Sequence, residues 1–174
     1  LSLGVCNGCQ LMMELGLLYP EWKDHPKMHH NGSGKFESAF INVTIPENSS
    51  VMLKTMAGSR LGVWLAHGEG RFVLPDNKSL FHVAAAYTQP EYPGNPNDSD
   101  FGVAALTSAD GRHLAIMPHL ERSLFPWNWP YYPAIRFPYC HHGDGVKIHS
   151  CQHPPHSVDV TFCASSGYDV WNET

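Results

Sequence analysis

A cysteine between two glycines is the feature that most constrains how this chain can fold. It stands in the stretch Gly4-Val5-Cys6-Asn7-Gly8. The apolar residues before this stretch are typical of the end of a buried strand, and Leu11 to Leu18 are typical of a helix. A nucleophile on a sharp strand-to-helix turn forms a nucleophile elbow, here with a thiol. Because such a turn is tight, we expect a Cβ at either glycine to clash.

A second pair of residues supplies what a nucleophilic thiol needs. His119 and Glu121 follow a predicted strand over His113 to Met117. A thiol requires a base, and an imidazole requires a partner that holds its tautomer. The period of two along an extended chain places both side chains on one side. Taken alone, each motif is more often structural, as a buried thiol in a turn or a surface ion pair. Their joint occurrence at strand ends favours a catalytic triad.

The composition limits which partners and which cellular compartment we expect for this chain. The chain has 174 residues and a net charge of -5, with its 11 Lys and Arg residues scattered, so we expect no nucleic-acid partner. No apolar run approaches about 18 residues, so we expect no membrane span. The five cysteines are an odd count, and Cys6 and Cys9 are poorly placed for a disulfide, which favours a reducing cytosol. The chain opens without Met inside a predicted strand, so we expect a fragment whose N-terminal part is missing.

The order of predicted elements indicates an α/β domain. Strands are predicted over Phe36 to Ile45, Leu61 to Ala66, Leu80 to Tyr87, Phe101 to Leu106 and His113 to Met117, the last two forming a hairpin around Asp110-Gly111. Tyr19 to Asn31, which contains two prolines, is predicted as loop. Ser50 is a candidate cap for a short helical turn through Met56.

Several motifs in register resemble a known family. They are Gly-Val-Cys-Asn-Gly-Cys-Gln at 4–10, Ala-His-Gly-Glu-Gly at 66–70, Tyr-Pro-Gly-Asn-Pro-Asn at 92–97, Leu-Thr-Ser-Ala-Asp-Gly-Arg at 106–112, Met-Pro-His-Leu-Glu-Arg at 117–122 and Trp-Asn-Trp at 127–129. Together they resemble the C-terminal glutaminase domain of the large, single-chain phosphoribosylformylglycinamidine synthases, which belong to the class I (triad) glutamine amidotransferases. The resemblance covers residues 1–133. It implies a flavodoxin-like α/β fold of which the N-terminal part is missing.

The resemblance implies a catalytic role for four residues. Cys6 matches the nucleophile that attacks the side-chain amide of glutamine. His119 matches the general base and acid, and Glu121 matches the residue that orients it. The backbone N–H of Asn7 matches one oxyanion donor.

The same resemblance implies the ligands and partners. Gln10 matches a position that helps to hold glutamine, and His67 and Gly68 match positions that bind its amino-acid end through backbone groups. No cofactor or metal is expected in this chain, whereas ATP and magnesium belong to the synthetase portion of the full-length enzyme. The expected partners are glutamine and the synthetase and N-terminal domains of the same enzyme, in the cytoplasm, with no nucleic acid and no membrane.

Two departures from the family pattern stand within the chain. Leu120 occupies the position of a family proline, and we expect tolerance or a modest loss. Residues 134–174 form a tail without the family's closing helix, and they hold Cys140, His141, His142, Cys151, His153, His156 and Cys163. One interpretation is a zinc site, although the spacing fits no strong ligand pattern. The favoured interpretation is a non-family, frame-shifted or disordered segment. The alternatives for the whole chain are another triad cysteine hydrolase or amidotransferase, and a non-catalytic remnant with a zinc-binding tail.

Overall fold

The computed structural model describes residues 1–75 and 81–130. Its regular elements are β1 (Ser2–Val5), α1 (Asn7–Glu14), β2 (Lys27–His29), β3 (Glu37–Thr44), β4 (Arg60–His67), β5 (Arg71–Val73), β6 (His82–Tyr87), β7 (Val103–Thr107) and β8 (His113–Ile116). Single turns of 3-10 helix lie at Lys54–Met56, Asp100–Gly102, Leu120–Arg122 and Pro126–Asn128.

Six of the strands form one mixed sheet in the order β1-β8-β7-β6-β3-β4, and β2 pairs with β5. β1 runs parallel to β8, and the other neighbours are antiparallel. An isolated bridge joins Trp64 of the edge strand β4 to His119, just beyond β8. The sheet therefore curls until the ends of β4 and β8 meet, which gives an α/β half-barrel.

The sheet separates two hydrophobic clusters. One contains Val43, Val63 and Ile116, where the β3–β4 hairpin folds over the central strands. The other contains Met13 and Phe72 and lies under α1. Each cluster buries apolar side chains that an extended chain would expose to water, which stabilises the curled sheet. The ends of β1, β4 and β8 are thus held close together.

The elbow at Cys6 forms as the sequence predicts, with one correction. Cys6 has φ 51° and ψ -107° between β1 and α1, a strained conformation for a residue with a Cβ. A Cβ at Gly4 would lie 2.5 Å from Met12 Sδ and 2.6 Å from the carbonyl oxygen of Gly8. A Cβ at Gly8 would meet nothing within 4 Å, so the expected clash there is wrong. The close contact needs a glycine on the strand side only.

The helix behind the elbow is shifted relative to its prediction over Leu11 to Leu18. α1 begins at Asn7 and ends at Glu14. Gly16 has φ 62°, its N–H donates to the carbonyl of Met13, and Leu17 N–H donates to the carbonyl of Met12. This pair of bonds is a Schellman motif, which ends a helix at a left-handed glycine.

The predicted strands over 36–45 and 61–66 and the predicted hairpin are confirmed as β3, β4 and the β7–β8 pair. The predicted loop from Tyr19 to Asn31 is wrong in part, because it contains β2, and β5 was not predicted. Each of these strands has three residues and is defined by pairing with the other. The tail from residue 134, with its Cys and His residues, lies outside the described residues, as does Leu80. The zinc and frame-shift interpretations of the tail, and the domain boundary after residue 133, therefore stay predictions.

Candidate active site

Cys6 is fixed by its neighbours in the sheet. Its backbone N–H donates to the carbonyl of Ile116 at 2.9 Å, which continues the pairing of β1 with β8 past Val5. The thiol Sγ lies 3.8 Å from the carbonyl oxygen of Ala66 near the end of β4. Asn7 is the first residue of α1. A backbone N–H at this position has no intrahelical acceptor, so it is suited to an anion beside the thiol.

His119 and Glu121 form a close pair, as the sequence predicts. His119 Nδ1 lies 2.6 Å from Glu121 Oε1. The route to this contact differs from the prediction, because Glu121 lies in the 3-10 turn Leu120–Arg122 and not in an extended segment. His119 Nε2 is buried without a hydrogen-bond partner among the described residues. The carboxylate therefore holds one ring nitrogen, and the other remains available as a base.

The thiol of Cys6 and the backbone of His119 both contact β4. His119 N–H donates to the carbonyl of Trp64 at 2.7 Å, two residues from the carbonyl that the thiol contacts. Since His119 Nε2 has no partner in the described part of the chain, Cys6 and His119 are not hydrogen-bonded to each other. In proteins without substrate, catalytic hydrogen bonds are often long and tighten when substrate binds.

An open cleft of about 530 Å³ lies beside the elbow. Asn7, Gln10, Glu69 and His30 are among the residues that line it. Gln10 Nε2 donates to the carbonyl of Glu69 at 2.8 Å, which ties α1 to the turn after β4. Of the predicted site residues, Asn7 and Gln10 line the cleft, and its volume is that of a small-molecule site.

His67 and Gly68 form the turn at the end of β4. His67 is 3% exposed, and its carbonyl accepts from Asn31 Nδ2 at 2.8 Å. The carbonyl of Gly68 accepts from the backbone N–H of Asn31 at 2.9 Å. Burial lowers the pKa of His67 to about 4. The imidazole of His67 is therefore neutral at neutral pH.

Cys9 differs from Cys6 although the two are close in sequence. Cys9 lies on the buried face of α1 and is fully buried, and burial raises the pKa of its thiol far above the ordinary range. A buried neutral thiol is inert as a nucleophile. Of the two cysteines in the described residues, Cys6 is the one suited to covalent chemistry.

Within residues 1–75 and 81–130, no group of three or more His, Cys, Asp or Glu side chains could hold a metal ion. No helix there has both the length and the apolar character needed to cross a membrane.

Comparison with known proteins identifies the family. The model of the CobB/CobQ-like glutamine amidotransferase domain matches residues 1–150. The chain belongs to this family. Membership confirms the resemblance drawn from the motifs and agrees with the α/β fold. The glutamine amidotransferase domain therefore occupies most of the chain.

Curated relatives place this amidotransferase domain within longer proteins. This chain is 47% identical over 151 residues to the probable phosphoribosylformylglycinamidine synthase, chloroplastic/mitochondrial, of Arabidopsis thaliana. The match covers 76% of this chain and 11% of the relative. The chain is 46% identical to the phosphoribosylformylglycinamidine synthase of Dictyostelium discoideum, with the same shares covered. The chain thus spans about 11% of the length of the curated relatives it matches.

A solved structure shares the fold of this domain. The structure of PurLQS from Thermotoga maritima matches with a TM-score of 0.60 and 27% identity, covering 72% of this chain and 53% of that chain. The likeness confirms the predicted fold class, that of the class I glutamine amidotransferases. The roles of Cys6, His119, Glu121 and the other predicted site residues stay predictions.

Sequence reasoning missed two side chains next to the site. Asn31 lies in the predicted loop, and it binds the turn after β4 through its amide group. Glu37 pairs directly with His67 across β3 and β4, and its buried Oε1 has no hydrogen-bond partner among the described residues, although Lys35 Nζ lies 4.0 Å from it. The sequence around each residue does not indicate a role at the site. The register of β3 and β4 brings Glu37 there, and hydrogen bonds to a turn distant in sequence bring Asn31 there.

Proposed function

We propose that this chain is the glutaminase part of a phosphoribosylformylglycinamidine synthase of de novo purine biosynthesis. The observation that carries the proposal is the elbow at Cys6 beside the His119–Glu121 pair, in a chain of this family. The names of the curated relatives supply the synthase activity. Glutamine is the proposed substrate, and the partners are the synthetase and N-terminal domains of the same enzyme.

In the proposed reaction the Cys6 thiolate attacks the side-chain carbonyl carbon of glutamine. The backbone N–H of Asn7 is one donor to the oxyanion that forms. His119, oriented by Glu121, takes the thiol proton and passes it to the departing nitrogen, which leaves as ammonia. This step leaves a γ-glutamyl thioester on Cys6.

Water then attacks the thioester with His119 as its base, and glutamate and the free thiol are regenerated. Gln10 and the turn at His67 and Gly68 hold the glutamine during both steps. The ammonia passes to the synthetase domain of the same enzyme, where ATP with magnesium would supply the activation of the amide oxygen of formylglycinamide ribonucleotide. Ammonia would replace that oxygen, which leaves in inorganic phosphate alongside ADP, and the product is the amidine. The proposed compartment is the cytoplasm.

The isolated chain is expected to be poorly stable and to hydrolyse essentially no glutamine. Leu1, just before β1, is 68% exposed and Leu3 within β1 is 52% exposed, so the strand that carries the elbow has little cover. Measurable glutaminase activity of the purified 174-residue chain would contradict this part of the proposal.

The test uses a chimeric synthase in which this full chain replaces the matching stretch of the Arabidopsis relative. Cys6→Ala should lower glutamine-dependent amidine formation by at least about 10⁴-fold, because the nucleophile is lost. Amidine formation from added ammonia should remain. Cys9→Ala is the matched control, because it removes a thiol one helical turn away, and its glutamine-dependent rate should stay within about threefold of the parent. Glutamine-dependent turnover by Cys6→Ala would exclude the proposed mechanism.

A further inference from the structure

Asn31 uses its whole amide group on the turn that closes β4. It lies two residues after β2 and is 3% exposed. Its Nδ2 donates to the carbonyls of His67 at 2.8 Å and Lys35 at 2.9 Å. Its Oδ1 accepts from the backbone N–H of Gly70 at 2.9 Å and lies 3.2 Å from His67 Nδ1. All four hydrogen-bonding positions of the side chain are therefore occupied.

This arrangement fixes the proton on His67. Because Nδ2 of Asn31 faces two carbonyl oxygens, the amide cannot be turned round without setting oxygen against oxygen. Its Oδ1 must then accept, so Nδ1 of His67 carries the hydrogen. The other ring nitrogen, Nε2, is left with a lone pair. It is buried and has no partner in the part of the chain that the structure describes.

The surroundings keep this imidazole neutral. Burial lowers the pKa of His67 to about 4, and the nearby His119 acts in the same direction. Glu37, directly opposite on β3, acts against them. At neutral pH His67 is thus a buried acceptor held in one tautomer by Asn31.

The turn is also packed around this ring and connected to the cleft. A Cβ added at Gly70 would overlap ring atoms of His67, so the backbone passes directly over the imidazole. Between these two residues, the carbonyl of Glu69 accepts from Gln10 Nε2 at 2.8 Å, and both side chains line the cleft. A change in the ring or in the turn therefore reaches the wall of the cleft.

We infer that Asn31 is a positioning residue for glutamine binding, which holds the turn from His67 to Gly70 and keeps His67 in its neutral, Nδ1-protonated form. The inference rests on the proposed function, since it takes the cleft beside Cys6 as the glutamine site. Asn31 acts through the turn and does not itself take part in the chemistry. Its loss should therefore weaken glutamine binding much more than turnover at saturation.

The first test is Asn31→Ala in the chimeric synthase. The glutamine KM should rise at least about tenfold, because a buried turn loses several hydrogen bonds, while kcat stays within about threefold. The ammonia-dependent rate should not change. A glutamine KM within about twofold of the parent, in a variant that retains ammonia-dependent activity, would overturn the inference.

Asn31→Asp gives a second measurement, the pH dependence of the glutamine KM, which would not change if Asn31 had a purely structural role. The carboxylate keeps the acceptor for Gly70 and His67 but loses both donors and sets its second oxygen against the carbonyls of His67 and Lys35, so the glutamine KM should already be raised at pH 8. Its negative charge beside the ring also favours protonated His67, which adds a dependence on pH. The groups that face the ring are then Glu37 of β3, His119 beyond β8 and the new carboxylate. The glutamine KM of this variant should rise as pH falls from 8 to 6, whereas that of the parent should stay flat. The same flat profile in both proteins would count against the inference, and this variant decides the question if Asn31→Ala does not fold.

Asn95→Ala is the matched control. Asn95 is 2% exposed and also uses its amide on a loop, donating to the carbonyls of Pro90 and Ser99 and accepting from Ser99 N–H. It should lose thermal stability to a similar extent without a rise in the glutamine KM. An equal rise in the glutamine KM of both variants would mean that the effect of Asn31→Ala is general destabilisation.

If the parent chimera shows no glutamine-dependent activity, or Cys6→Ala retains it, the proposed function itself fails. A parent and Cys6→Ala that behave as expected, with a normal Asn31→Ala, would refute this inference alone.

Discussion

The polar side chains at the two ends of β8 differ in how fully they are hydrogen-bonded. Before the strand, in the turn of the β7–β8 hairpin, Ser108 Oγ donates to Asp110 Oδ1, and the N–H groups of Arg112 and His113 donate to Asp110 and Ser108. After the strand, His119 Nδ1 meets Glu121, but His119 Nε2 is buried without a partner in the described chain. Buried polar groups in proteins are normally satisfied. β8 thus joins a turn whose polar side chains are hydrogen-bonded to an end with a buried, unpaired ring nitrogen, and the second end is the one at which we propose that glutamine reacts.

The sharpest test of this contrast replaces one carboxylate at each end by its amide. Glu121→Gln should lower glutamine-dependent turnover of the chimeric synthase on the order of 10³-fold, because an amide can donate to Nδ1 and move the proton to Nε2. The ammonia-dependent rate is the internal control. A loss of less than about tenfold would mean that Glu121 does not set the tautomer of His119.

Asp110→Asn makes the same change at the other end of β8. Hydrogen bonds from Ser108 and Arg112 lower the pKa of Asp110, so its ionised form contributes stability above the ordinary carboxyl pKa and loses it as pH falls through the lowered value. The variant should show an unchanged glutamine-dependent rate and a small drop in thermal midpoint at pH 7. This drop should disappear in acid. A substantial loss of glutamine-dependent activity would contradict the claim that the Asp110 end of β8 contributes to stability and not to activity.

Gly4→Ala tests how tightly the site end is packed. Gly4 pairs with Ala115 of β8, and a Cβ there would press on the backbone of Gly8. In the chimeric synthase, the variant should destabilise this part of the enzyme by about 1–3 kcal/mol, as for overpacking in a core, measured as increased native-state proteolysis within this chain. Gly8→Ala is the matched control, because its Cβ meets nothing within 4 Å, and it should be neutral or stabilise α1 by up to about 1 kcal/mol. Equal losses in the two variants would show that this contact is not what the glycine protects.

The smallest effect is expected at Leu120, between the two residues of the His119–Glu121 pair. Leu120 is the first residue of its 3-10 turn, a position where proline is accepted because the N–H has no partner within the turn. Leu120→Pro should change the glutamine-dependent kcat of the chimeric synthase by less than about threefold. A much higher turnover would show that leucine misplaces His119.

Particular residues show how far the sequence alone could reach. The elbow followed from Gly4 and Cys6, and the hairpin followed from Asp110-Gly111, because both are local backbone patterns. The His119–Glu121 contact was also predicted, although a 3-10 turn and not an extended segment produces it. Asn31 could not be assigned, since its partners lie 36 and 39 residues away in sequence. The pairing of β2 with β5 was missed for the same reason: three-residue strands have too little pattern to be recognised before they meet.

The central claim is that Cys6 is the nucleophile for glutamine. The most direct test treats the chimeric synthase with an electrophilic analogue of glutamine and locates the adduct by peptide mass spectrometry. We predict one adduct per chain on Cys6, none on the buried Cys9, and protection by glutamine. An adduct on Cys9, or labelling of Cys6 that glutamine does not slow, would contradict the account.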